Sequence, residues 1–156
     1  MKLHFFIALT IILGSCSKEE STISYAYLIN GSTHKVVIKP YFSGVVPPDK
    51  TIILLSGQTK EIATASFARG IGNMGFNSSY FGGLNDSIIV TFDDLYSITH
   101  YFNPPATLSN KYYLPSSLRN IANPKSYNLQ SRDVSKYQRE NKYYYTFIEQ
   151  DYLDAR

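Results

Sequence analysis

The chain has 156 residues, a formal net charge of +3, 14 tyrosines, no tryptophan and one cysteine. One cysteine excludes a disulfide-stapled scaffold, so a hydrophobic core must carry the stability. The basic residues are scattered, which excludes the clustered footprint of a nucleic-acid binder, and the length suits one domain with a full core.

Met1-Lys2 gives a short basic start, Leu3 to Leu13 an apolar run, and Leu13-Gly14-Ser15-Cys16 closes it. The run is far short of the roughly 20 residues a membrane span requires, so a single-pass helix is rejected. Basic start, apolar run, small residues and cysteine occur in the order of a bacterial secretory signal ending in a lipobox. The expectation is a signal peptide over residues 1–15, removed to leave Cys16 acylated on its sulfur and its new amino terminus. Each buried CH₂ contributes about 0.8 kcal/mol, so several acyl chains hold the protein to a bilayer.

Residues 16–21 read as a polar tether. Cys16-Ser17-Lys18-Glu19-Glu20 resembles the export signal of surface lipoproteins of the Bacteroidota. The resemblance implies that Lys18, Glu19 and Glu20 direct the protein to the outer face of the outer membrane. The alternative is a plain spacer with periplasmic display.

Residues 22–156 read as a single β domain. Ile23, Tyr25, Tyr27 and Ile29 alternate with smaller or polar residues at period two. Asn30-Gly31 is a turn signal that ends this run. Val36 and Ile38 begin a second strand, blurred by Val37, in which Pro40 lacks a ladder donor and so marks an edge or a bend. Thr51 to Leu55 is a short strand closed by Ser56-Gly57, and Gln58 to Ser66 is another, with Ile62 inward. Phe67 to Gly83 is a long loop rich in Gly, Asn and Ser. Ile88, Val90 and Phe92 point one way and Ser87, Ile89 and Thr91 the other. Asp93-Asp94 then turns the chain into a partner strand over Leu95 to Phe102, forming a hairpin that Asn103-Pro104-Pro105 ends. Ala106 to Asn141 reads as irregular. Tyr143 to Ile148 is a final strand, and Glu149 to Ala155 a closing helical turn.

About seven short strands argue for an all-β, antiparallel two-layer sandwich of the immunoglobulin-like kind, with a small β-barrel as the alternative. The Tyr25-Ala26-Tyr27 strand with Asn30, the Asp86 to Asp94 hairpin and the Tyr145 to Tyr152 tail are together similar to small surface lipoproteins of the Bacteroidota. The resemblance implies location and fold class and carries no activity.

Gly70-Ile71-Gly72-Asn73-Met74-Gly75 matches the dinucleotide fingerprint in letters, but Phe76 to Gly83 is a poor helix to follow it, so no cofactor is expected. His34 and His100 are the only histidines after the signal. No nucleophile-elbow sequence and no metal-ligand spacing accompany them, so no catalytic or metal residue is assigned. Asp93-Asp94 reads as a turn rather than a glycosidase pair. Asp86-Ser87-Ile88 resembles the O-glycosylation signal of exported Bacteroidota proteins, which makes Ser87 a candidate acceptor. Tyr112, Tyr113 and Tyr144 are candidates for an aromatic ligand face. The expected protein is therefore a lipid-anchored, non-enzymatic binding or accessory module of the outer membrane. Its partners are the membrane and an envelope protein or surface glycan, not nucleic acid. An exported hydrolase using His100 or His34 and a structural envelope lipoprotein are the rival readings.

Replacing Cys16 with Ala is expected to abolish incorporation of labelled fatty acid and to release the protein from the membrane fraction. Unchanged membrane recovery would reject the lipobox.

Overall fold

The computed structural model describes residues 21–68 and 87–156. The expected signal over residues 1–15, Cys16, Lys18, Glu19, Glu20, the Gly70 to Gly75 pattern and Asp86 lie outside the described residues. Within them, nine strands form two sheets. The first four strands are β1 (Ser21–Asn30), β2 (Val36–Tyr41), β3 (Ile52–Leu54) and β4 (Thr59–Ala68). β5 (Ser87–Phe92), β6 (Tyr96–Tyr101), β7 (Tyr112–Tyr113), β8 (Asn128–Ser135) and β9 (Gln138–Phe147) follow, and one helix, α1 (Glu149–Ala155), ends the chain. The sheet orders are β4-β1-β9-β8 and β3-β2-β5-β6-β7. Neither closes on itself, and both contribute to one core cluster, so the architecture is a β-sandwich rather than a barrel.

The inward faces follow from the period-two patterns. Ile88, Val90 and Phe92 are fully buried, while Ser87, Ile89 and Thr91 are only half-buried. Phe92 meets Phe147 of the opposite sheet edge-on, with ring centroids 6.4 Å apart. On β1, Thr22, Ser24, Ala26, Leu28 and Asn30 are buried, and Ile23, Tyr25, Tyr27 and Ile29 form the outward row. Small inward residues leave the interior to large side chains from neighbouring strands, notably Tyr145 and Phe147 on β9.

Five of the seven strand pairings are antiparallel, as expected; β1–β9 and β6–β7 are parallel. A parallel pair requires a long connection. For β1 and β9 that connection is nearly the whole domain, since they are its first and last strands. β8 and the first half of β9 fall in a stretch read as irregular from sequence. All eight residues of β8 are exposed, so neither face shows an apolar period. Pro40 pairs with Ile88 on the β5 side, whereas β3 pairs only with Val36 to Ile38. The proline thus lies past the end of β3, where no third strand requires its missing donor.

Two turns complete the frame. Asp93 and Asp94 both have positive φ, 51° and 59°, and Leu95 N–H closes the turn on Phe92 O at 2.9 Å. Aspartate tolerates this left-handed region because its side chain bonds locally. α1 has about two turns, and the Asp151 carboxylate accepts the Ile148 N–H at 2.8 Å to fix its start.

Truncating a buried Phe typically costs about 3–5 kcal/mol. Phe92→Ala is therefore expected to lower the unfolding free energy by that order, and Thr91→Ala by well under 1 kcal/mol. Chemical denaturation of the two variants checks this; equal losses would place the wrong face inside.

Candidate functional site

Three groupings of polar and aromatic side chains emerge. The first is a clasp around His34. The β1–β2 connection carries His34 to the Asp93 turn on one side and to the start of α1 on the other. His34 Nδ1 lies 2.5 Å from Asp93 Oδ2, and Nε2 lies 2.9 Å from Glu149 Oε1. The ring stacks on Tyr152 at 3.6 Å with planes 11° apart. Asp93 also accepts the Lys35 backbone N–H, and Lys35 Nζ pairs with Asp94. A neutral imidazole can donate from only one nitrogen, so two carboxylate partners favour the doubly protonated cation. His34 is accordingly raised above its ordinary 6.5, chiefly by the Asp93 bond, with burial opposing. Asp93 and Glu149 are both lowered, each chiefly by its bond to His34.

The second grouping is interior. His100 is 1% exposed. Its Nδ1 accepts the Ile121 N–H at 2.9 Å, its ring meets Tyr113 edge-on, and Nε2 has no partner among the described residues. Burial, reinforced by the Arg119 charge, pushes it down to about 3. Beside it, buried Asp151 accepts Arg119 Nε at 2.8 Å. Tyr113 donates to Asp154, and its phenol is held protonated chiefly by burial. This cluster bonds α1 to the Arg119 segment and to β7.

The third grouping is the outward face of the β4-β1-β9-β8 sheet. Register places its side chains in rows across the strands: Ser66, Ile23, Glu140 and Arg132; then Thr64, Tyr25, Lys142 and Gln130; then Glu61, Tyr27, Tyr144 and Asn128. Tyr27 and Tyr144 stack at 5.1 Å with planes 18° apart, and Tyr25 lies 6.4 Å from Tyr27 at 24°. Tyr27 is raised by burial and by the Glu61 carboxylate beside it. Glu140 accepts Arg132 Nε at 2.7 Å and faces Lys142 Nζ at 3.5 Å, and the Arg132 bond chiefly lowers it. A shallow depression of about 270 Å³ is lined by Gln130, Ser131, Arg132, Glu140 and Lys142.

The structure separates the three tyrosines singled out from sequence. Tyr144 stands on this outward face, opposite in direction to the buried Tyr143 and Tyr145. Tyr112 and Tyr113 belong to the other sheet, where Tyr113 is tied down by α1 and Tyr112 lies against Tyr101. Ser87 is half-buried on the side of β5 away from Ile88. His34 and His100 do not converge: one is clasped at the rim, the other sealed in the core. Tyr25 and Tyr27 join Tyr144 through a pairing of the first and last strands that no local pattern discloses. Among the described residues, no group of three His, Cys, Asp or Glu is arranged to hold a metal ion.

The histidines titrate in opposite senses. His34 is raised, so its contribution is full below 6.5 and is lost as pH rises through its folded value. His100 is lowered, so the folded state loses stability as pH falls from 6.5 toward about 3. Stability is therefore expected to peak near 6.5, and His34→Gln is expected to flatten the decline from pH 6.5 upward and to remove from the acid arm the share owed to Asp93 and Glu149, leaving the share owed to His100. Thermal melts across that range check it; an unchanged alkaline slope would mean the clasp is not charged.

No family model, curated protein or solved structure matches the chain, so the chemistry of these groupings is read from its own residues.

Proposed function

We propose that the protein is an exported binding module, acylated at Cys16, held at the outer membrane and displayed outward through Lys18, Glu19 and Glu20. Its ligand is a saccharide, and its ligand face is the outward face of the β4-β1-β9-β8 sheet. The observation that carries this reading is the row of near-parallel tyrosines at Tyr25, Tyr27 and Tyr144, half-buried and bordered by Glu61, Asn128, Gln130, Arg132, Glu140 and Lys142.

A sugar ring presents apolar C–H faces and a rim of hydroxyls. Tyrosines offer apolar ring surface at little entropic cost, and their hydroxyls stay in water. Carboxylate, amide and guanidinium groups supply planar donors and acceptors for the rim. A rigid sheet holds both sets in fixed relation, which reduces the ordering cost of binding.

The hydrolase reading has one observation in its favour, the two carboxylates at His34. Against it, both ring nitrogens are already engaged, so neither is free to take a proton from a nucleophile. His100 is buried and stays neutral at ordinary pH. These features support binding over turnover.

The test uses the full-length acylated protein in a detergent without a sugar head group, applied to an oligosaccharide array and then titrated against the strongest hits. Tyr27→Ala and Tyr144→Ala are each expected to weaken binding about tenfold, equivalent to about 1.4 kcal/mol. Tyr112→Ala, on the other sheet, is expected to leave it unchanged. Absence of any saccharide ligand, or indifference to both tyrosine changes, would reject the proposal.

A further inference from the structure

We infer that this face selects saccharides carrying carboxylates, with Arg132 on β8 as the residue that reads the acid group. The inference rests on the saccharide reading above and deepens it.

The β8–β9 hairpin is the charged arm of the sheet. Between Asn128 and Phe147 it carries Arg132, Lys136, Arg139 and Lys142 against only Asp133 and Glu140. The pairing is uneven in the same way. Arg139 Nε bonds Asp133 at 2.9 Å, which leaves Glu140 to be shared by two cations, Arg132 at 2.7 Å and Lys142 at 3.5 Å. One positive charge is therefore in excess beside the depression of about 270 Å³ that these residues line, while Glu61 sets a negative charge beside Tyr27 at the other end of the face, so the acid group is read at the Arg132 end.

Arg132 is the exposed member of that group. Its side chain is 69% exposed, whereas that of Glu140 is 16% exposed. Only Nε is used on Glu140, and the two terminal nitrogens meet no partner among the described residues. A guanidinium held by one edge keeps its other donors aligned in a plane, the arrangement that grips a carboxylate through two parallel bonds. Glu140 thus orients the fork without consuming it.

The neighbouring row fixes what the acid must be attached to. Lys142 lies directly across from Tyr25 and from Gln130. Two residues along each strand, on the same side, stand Tyr27, Tyr144 and Asn128. A ligand whose carboxylate sits at Arg132 therefore extends its next ring over Gln130 and Tyr25, and the one after toward the Tyr27–Tyr144 pair. A chain of acidic sugars matches this sequence of charge, amide and aromatic surface. A neutral chain would leave the excess cation unanswered, and a peptide polyanion would have nothing to place on the tyrosines.

The experiment compares a homo-oligomer of a uronic acid with the same oligomer methyl-esterified at every carboxyl, titrated into the full-length protein. The ester keeps ring shape and length and removes the charge. The acid form is expected to bind at least tenfold more tightly at low salt, with the difference shrinking as salt is raised. Arg132→Gln is expected to abolish most of that preference while the melting temperature stays within a degree or two of wild type. Tyr27→Ala is expected to weaken both forms. Polyglutamate of matched charge is expected not to compete.

Equal binding of acid and ester, or a preference that survives Arg132→Gln, would overturn this inference and leave the saccharide reading intact. Competition by polyglutamate as effective as that of the uronic oligomer would also overturn it. Failure of both oligomers and of every neutral sugar to bind would remove the saccharide reading and this inference together.

Discussion

The fold depends on one buried amide. Asn30 is fully buried at the end of β1, and every polar atom of its side chain is used. Its Nδ2 donates to His34 O at 2.7 Å and to Leu54 O at 3.0 Å, and its Oδ1 accepts the Ser32 N–H and hydroxyl. Its backbone N–H donates to Gln58 O, and its carbonyl accepts Gly57 N–H. One residue thereby joins the end of a strand in one sheet to β3 in the other and to the turn leading into β4. Only an amide supplies two donors and an acceptor in this geometry; an isosteric carboxylate would bring oxygen against two carbonyls. A buried polar group without its partner costs on the order of 1–3 kcal/mol, so the knot holds only when complete. Gly31 follows because the chain must pass close to β9: a Cβ there would stand 3.2 Å from Phe147 O. The Asn-Gly pair that commonly signals a tight hairpin here does something else, carrying the chain from one sheet to the other.

The path set by Asn30 also places His34. With His34 O fixed by the amide, its side chain reaches the Asp93 turn and α1 together. α1 is short and would not persist alone. It is held by the clasp at its first residue, by Asp151 on Arg119 and by Tyr152 against Phe92 and Tyr96. The polar groups that hold α1 are thus spent on one another. The outward face of the four-stranded sheet is different, because Arg132 keeps donors unspent and the tyrosines keep ring surface in reach of solvent.

What could be read from sequence followed the range of the interactions. The β5–β6 hairpin was legible to within a residue at each end of β6, since Ile88, Val90 and Phe92 alternate cleanly and Asp93-Asp94 is a local turn. So was the closing helix. β8 was not, because Gln130, Ser131, Arg132 and Asp133 are exposed on both faces and carry no apolar rhythm. The outward position of Tyr25 and Tyr27 runs against hydrophobic ranking, which turns large side chains inward. It follows from the interior space already taken by Tyr145 and Phe147. The His34 clasp joins residues 59 and 115 positions apart, and nothing in the spacing of His34, Asp93 and Glu149 announces their meeting. The candidate face had the same difficulty: Tyr144 was a candidate from its place in the final strand, but its stacking partner Tyr27 lies at the far end of the chain.

The parallel pairing of β1 with β9 governs when the molecule can exist at all. The centre of one sheet is a seam between the first strand and the last, with Ile23 opposite Glu140 and Asn30 opposite Phe147. No nascent fragment lacking β9 can cover that edge of β1. Contacts this distant along the chain make for slow, late-forming sheets. The sandwich therefore cannot close until its last strand is in hand, however early the β5–β6 hairpin of the other sheet has formed.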